Sequence, residues 1–426
     1  MKTGPVSNDR EVLRPSQIYA VVEDVLAKTP FIDIHTHLYP PAFGDLGLWG
    51  IDELLTYHYL EAEFFRYAEM STEKYWSLSK QERANAIWRT LFLENTPISE
   101  AARGVIAVLG AFQLPTDSVD LREARGFFDA QAVDGHLQRV LEMAGVSMVV
   151  MTNDPLDPQE APYWMKDVAP HGQYLAALRL DRILCQWPAH WQILERQGYQ
   201  VDGLAGPATA AEVRRFLVDW AARMKPVYMA VSLPDTFQFP EDTPQTRILR
   251  DAVLPACREL NLALSLMIGV RKQVNPAIRL AGDALGRADL RALEYLCREF
   301  PANRFLVSVL SRENQHELCV YARKFNNLMP FGCWWFLNNP SIVEEITAER
   351  LEMLGASFIP QHSDARVLEQ LIYKWRNTRR TLAPILADKY KLLSEDGRAV
   401  THADIRKDIT RLFRGNFETF TSAAAR

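Results

Sequence analysis

The stretch "FIDIHTHLYPP", residues 31–41, sets an apolar run against two histidines and then a turn-prone proline pair. A short, mostly apolar run is the pattern of a parallel strand covered on both faces. Seven more follow: "SMVVMT" (147–152), "YLAALR" (174–179), "VYMAVSL" (227–233), "LALSLMI" (262–268), "RFLVSVL" (304–310), "NLMPFG" (327–332) and "ASFIP" (356–360). Helical patterns lie between most of them, such as "TAAEVRRFLVDWAARM" (209–224) and "SIVEEITAERLEML" (341–354). Eight alternations of strand and helix predict an α/β fold, a (β/α)8 TIM barrel.

The spacing breaks once. Roughly 110 residues separate the first and second runs, and they read as helical ("GIDELLTYHYLEAEFFRYAEM", "SKQERANAIWRTLFLE", "ISEAARGVIAVLGAF"). This predicts one barrel over 1–426 with a large helical insertion at 45–140. Two helical stretches after the eighth run, "ARVLEQLIYKWRNTRRTLAPILADKY" and "HADIRKDITRLFRGNF", predict extra C-terminal helices. A length of 426 residues suits such a barrel as one domain.

Composition excludes several classes. A formal net charge of −5 favours neither nucleic acid nor an anionic membrane as partner. The start "MKTGPVSNDREVLRP" lacks the apolar core of a signal peptide, and no apolar run approaches the roughly 18 residues of a membrane span. Cys185, Cys257, Cys297, Cys319 and Cys333 are scattered, without a CxxC pair, which predicts reduced thiols in a cytoplasmic protein.

In a barrel the active site lies at the C-terminal ends of the strands. His35 and His37 end the first run, and their spacing is the strand period, so both rings point to one side. Two converging imidazoles make half of a divalent metal site; the plainer alternative is a pair of hydrogen-bonded histidines. Asp364 follows the eighth run in "FIPQHSDARVLEQLIYKW", where its carboxylate can face the pair across the barrel axis. Taken alone, it reads as a helix N-cap, a role Asp fills often.

Together these residues resemble the amidohydrolase superfamily, which carries "DIHTH" on its first strand and Asp on its eighth. Further segments resemble the uronate isomerase (glucuronate isomerase) family in order along the chain. They are "LWGIDELLTYHYLEAEFFR" (48–66) with its His58-Tyr59 pair, "MTNDPLD" (151–157), "LRLDRIL" (178–184), "LSRENQHEL" (310–318), "FGCWWFLNNP" (331–340) and "SDAR" (363–366). The resemblance implies an isomerase that interconverts D-glucuronate with D-fructuronate and D-galacturonate with D-tagaturonate. It implies one divalent metal, often zinc, on His35, His37 and Asp364. It also implies that His58, Tyr59, Arg179 and Arg366 contact the open-chain sugar acid.

The chain departs from many superfamily relatives at the fifth run, where "LSLMIGVRK" places Met267 in the position of a metal-binding His. A thioether is a poor ligand for hard ions. "YMAVSL" also offers no lysine to bridge two metals, so a single, weakly held ion is expected.

Aldose–ketose interconversion moves a proton from C2 to C1 through a cis-enediol, so it needs a base and positive charge near the oxygens. Arg366 and Arg179 are the expected cations. The base is Tyr59 or Asp364; a phenol has an ordinary pKa near 10 and serves only if a cation, here Arg366, lowers it. Of Trp334 and Trp335, at most one lines the sugar site, and Trp334 is taken as the candidate. His362 is expected to support the site and Arg312 to lie near it, while His136, His171, His190, His316 and His402 read as surface or structural. Competing readings are a metal-dependent hydrolase of the same superfamily and a non-catalytic sugar-acid binding protein. Barrels of this size commonly self-associate, so a homo-oligomer is compatible with the sequence.

Overall fold

A computed structural model describes residues 11–166 and 172–422; His171 lies outside the described residues. Its eight strands are β1 (Phe31–Thr36), β2 (Val146–Asn153), β3 (Tyr174–Arg179), β4 (Tyr228–Pro234), β5 (Ala263–Arg271), β6 (Ala284–Leu285), β7 (Phe305–Val309) and β8 (Leu328–Pro330). All but β6 are parallel, in the order β1-β2-β3-β4-β5-β7-β8, and β6 is a two-residue antiparallel addition to β5. Every residue of β1 and β7 is buried, as continuous apolar runs between two packed layers require.

The eighth apolar run does not form a full strand. Ile359 makes one parallel bridge to Phe331, and Pro360, which has no N–H to give, stops the ladder. The loop beyond it seals the curled sheet. Asp364 N–H donates to the His35 carbonyl at 3.1 Å, and His37 N–H donates to the Ala365 carbonyl at 2.8 Å. The barrel therefore closes through the segment that carries the predicted carboxylate.

Side chains sort into two apolar layers. Ile32, Ile34, Val150, Tyr228, Met267 and Leu306 fill the interior. Phe31 points outward, stacked on Phe413 at 4.1 Å and tilted against Trp375 at 4.9 Å. The segment between β1 and β2 holds seven α-helices, from Ile51–Leu55 to Val133–Ala144. After the barrel come the helices Gln370–Glu395, His402–Thr410 and Asn416–Ser422. Among the described residues, no helix is long and apolar enough to cross a membrane.

Candidate active site

A bulge in β1 aims the first histidine. Asp33 pairs with Val149 and Thr36 with Met151, so β1 fits three residue steps where β2 fits two. Ile34 and His35 together stand opposite Val150, which faces the interior. The extra residue turns His35 inward after Ile32 and Ile34 have already taken that face. His37 follows at the level of Thr152.

Both rings are then locked in one tautomer. Thr152 donates its single hydroxyl proton to the Thr36 carbonyl at 3.0 Å, and its oxygen lies 2.9 Å from His37 Nδ1. His37 must therefore be the donor through Nδ1–H, which leaves Nε2 with a bare lone pair. Tyr228 repeats the arrangement with a longer contact. It donates to the Ile34 carbonyl at 2.6 Å and lies 3.4 Å from His35 Nδ1.

The two Nε2 atoms converge on one oxygen. Asp364 Oδ1 lies 3.6 Å from His35 Nε2 and 3.3 Å from His37 Nε2. These are not ion pairs, because burial pulls His35 down to about 3 and His37 down to about 4, so both rings are neutral near pH 7. Burial pushes the Asp364 carboxyl up, but His37 and His35 outweigh it and hold the group below the usual carboxylate range. Oδ1 is buried and makes no hydrogen bond. Two lone pairs and a carboxylate oxygen facing one another repel unless a cation sits among them. Ligand atoms about 2.0–2.1 Å from a tetrahedral ion stand roughly 3.3–3.4 Å apart, close to the spacing seen. The three ligating atoms lie within 4.8 Å of one another, and they fit one divalent ion with a coordination position left open. The backbone of Asp364 is left-handed, at φ 51°, a conformation that costs roughly 1–2 kcal/mol for a residue with a Cβ and is retained where geometry matters.

Around this centre the helix His58–Tyr67 brings its first turn against the 363–366 loop. Both ring nitrogens of His58 and the hydroxyls of Tyr57 and Tyr59 are buried without partners. Arg366 stands among them. Its charge acts on His37, His58, Tyr57 and Tyr59, and its buried Nε has no hydrogen-bond partner. A guanidinium nitrogen is costly to bury in that state, so Arg366 leaves a donor free beside the centre. The expected lowering of Tyr59 is absent. Burial, Tyr57 and Asp364 raise its phenol well above 10, and Arg366 offsets only part of that. The Tyr59 phenol is therefore neutral near pH 7.

Arg179 and the tryptophan pair take up defined positions. Arg179 ends β3 as predicted, but Asp181 holds its guanidinium by two hydrogen bonds of 2.9 Å. It faces the metal-ligand set as a neutralised pair. Trp334 and Trp335 both pack in the barrel interior, and Trp335, left-handed at φ 49°, is the one that also lines a cavity of about 280 Å³ beside the site, with Tyr57, Tyr59, Phe336 and Lys374.

The histidines outside the site divide by burial. His136 is buried on Glu369 at 2.7 Å, while the exposed His316 contacts Glu349 by hydrogen bond and Arg312 forms an exposed ion pair with Glu345, so neither supports the site. His362 is fully buried, its ring 5.3 Å from His35. Sequence reading missed Thr152, Tyr228, Tyr57, Lys374 and Asp33. Only Thr152 carried a local signal, a polar residue closing an apolar strand.

Comparison with known proteins gives a family. No protein-family model and no curated protein sequence matches the chain. Among solved structures, a uronate isomerase from Bacillus halodurans C-125 is 48% identical, with a TM-score of 0.94 over 96% of this chain and 97% of that one. A uronate isomerase from Thermotoga maritima (17% identity, TM-score 0.78, 98% and 100% covered) and a glucuronate isomerase from Caulobacter crescentus (16%, 0.69, 99% and 98%) share the fold. Identity of 48% over almost the full length of both chains, on a barrel of the same fold, makes this protein a member of the uronate isomerase family of the amidohydrolase superfamily.

Proposed function

We propose that the protein is a uronate isomerase that interconverts D-glucuronate with D-fructuronate and D-galacturonate with D-tagaturonate through a cis-enediol. The observation that carries the reading is the neutral His35–His37 pair facing the unpartnered Asp364 oxygen, beside the unpartnered Nε of Arg366. His35, His37 and Asp364 hold one divalent ion, proposed to be zinc. When bound, that ion supplies positive charge that polarises the sugar's C1 and C2 oxygens.

The residues divide the remaining work. Arg366 binds and orients the sugar acid, with its unpartnered N–H facing negative charge. The Arg179–Asp181 pair lies close enough for both of its charges to act on His35. Asp364, ionised at neutral pH, takes the C2 proton; the electron pair left behind forms the C1–C2 double bond, the C1=O π pair moves to O1, and O1 takes up a proton from solvent. Asp364 then returns its proton to C1 as O2 releases its own proton to solvent and forms the C2 carbonyl, so atoms and charge balance. Tyr59 and His58 donate or accept hydrogen bonds at sugar oxygens, and burial keeps water from the enediol. Residues 45–140 act as an insertion that covers the mouth of a single barrel unit. Five free thiols support a reducing compartment, the cytoplasm.

Turnover of each uronate by purified protein, metal-stripped and then given Zn²⁺ or Mn²⁺, tests the reading. Ketose formation from either sugar supports it. No turnover of either sugar, with metal bound, rejects it.

A further inference from the structure

The left-handed turn that aims Asp364 is held by backbone hydrogen bonds on every side, and one of its holders lies far away in the chain. Ser363 N–H donates to Asp33 Oδ1 at 3.0 Å. Asp364 N–H donates to the His35 carbonyl, and the Ala365 carbonyl accepts from His37 N–H. The remaining group is the Ser363 carbonyl, which belongs to the peptide that enters Asp364. It accepts from the Lys374 ammonium and, in a longer contact of 3.5 Å, from Asn338 Nδ2. Lys374 sits on the helix Gln370–Glu395 next to Trp375, whose Nε1 donates to Asp33 Oδ2 at 2.9 Å. Two adjacent residues of one helix thus grip the Ser363 peptide from both ends, directly at the carbonyl and through Asp33 at the N–H. Asp364 and Asp33 are also the anions nearest in effect to the Lys374 charge.

We propose that Lys374 is a positioning residue, fixing the 363–364 peptide so that the Asp364 carboxylate meets His35 and His37 in ligand geometry. The proposal rests on the metal site described above and deepens it. A free peptide at 363 would let Asp364 relax from its left-handed backbone, and the carboxylate would swing off the histidine pair. Groups that orient a metal ligand from behind typically change metal affinity by about 10–100-fold when removed.

The test compares wild type, Lys374→Met and Lys374→Arg by calorimetric titration of the metal-stripped proteins with Zn²⁺, without sugar. Steady-state kinetics on uronate follow. The methionine fills the space but donates nothing; arginine keeps N–H donors at that reach. Lys374→Met is expected to bind Zn²⁺ about 10–100-fold more weakly, with kcat reduced and KM changed less, and Lys374→Arg to recover most of the affinity. Wild-type Zn²⁺ affinity in Lys374→Met overturns the proposal, as does an arginine variant as weak as the methionine one. A raised KM with unchanged Zn²⁺ affinity also overturns it, because Lys374 would then be touching the sugar acid instead. If Lys374→Met does not fold by circular dichroism, the arginine variant decides alone: loss below tenfold supports the proposal and a larger loss overturns it. The metal arm uses no sugar, so absence of uronate turnover rejects the functional reading alone. A wild type that binds no Zn²⁺ removes both.

Discussion

The Thr152 hydroxyl lies 2.9 Å from His37 Nδ1 while its own proton is committed to the Thr36 carbonyl. That relationship makes His37 a donor at Nδ1 and a bare lone pair at Nε2. A protein-only hydrogen-bond role for this histidine would need a donor opposite Nε2, and the group there is a carboxylate.

Replacing Thr152 with Val keeps the shape and removes the oxygen that orients the ring. Zn²⁺ affinity is expected to fall about 10–100-fold, while the melting temperature of the metal-free protein changes little. Calorimetric titration checks this; unchanged affinity would mean that the ring is held by packing alone.

Arg366→Met should lower turnover by about 10²-fold or more, since an oriented cation at developing charge is worth several kcal/mol. Its metal-free stability should hold or rise, because the substitution removes a guanidinium whose Nε is buried and unpartnered. Kinetics and thermal unfolding of the same sample separate the two effects. A stable, fully active variant would remove Arg366 from the site.

The histidines also predict how stability follows pH. Unfolded imidazoles titrate near 6.5, whereas His35 and His37 in the folded metal-free protein are drawn down to about 3 and about 4. Above pH 6.5 both states are neutral and these groups contribute nothing. Between about pH 6.5 and 4 the unfolded chain takes up protons that the folded one refuses, so stability falls, by up to roughly 1.4 kcal/mol per pH unit for each histidine. Thermal melts of the metal-stripped protein should show this slope, and His37→Asn should flatten it. Equal slopes in the two proteins would count against a neutral His37.

Proton transfer makes an isotopic prediction. Substrate deuterated at C2 should leave part of its label at C1 of the ketose and part in water. Tyr59→Phe should slow turnover by about 10–100-fold, as loss of a positioned hydrogen-bond donor does. It should not move the pH–rate profile near neutrality, because the phenol does not ionise there. Complete retention of label would point to a hydride shift, and a displaced alkaline limb in Tyr59→Phe would restore the phenol as base.

The sequence alone determined the barrel and the histidine pair at its seam. Both follow from local rules: apolar runs of strand length, polar residues where those runs end, and the two-residue period that points His35 and His37 the same way; Asp364, which by itself reads as a helix N-cap, joined them through the resemblance. The resemblance along the chain extended this to His58, Tyr59, Arg179 and Arg366. The tertiary structure decided the rest, because it depends on groups brought together across the chain. Only the packed barrel shows the bulge that turns His35 inward, the Thr152 and Tyr228 hydroxyls that select the tautomers, and the lysine on the helix Gln370–Glu395 that holds the Asp364 turn. Burial, which no spacing encodes, is what keeps the histidines neutral and drives the Tyr59 phenol up when a neighbouring arginine alone would have brought it down.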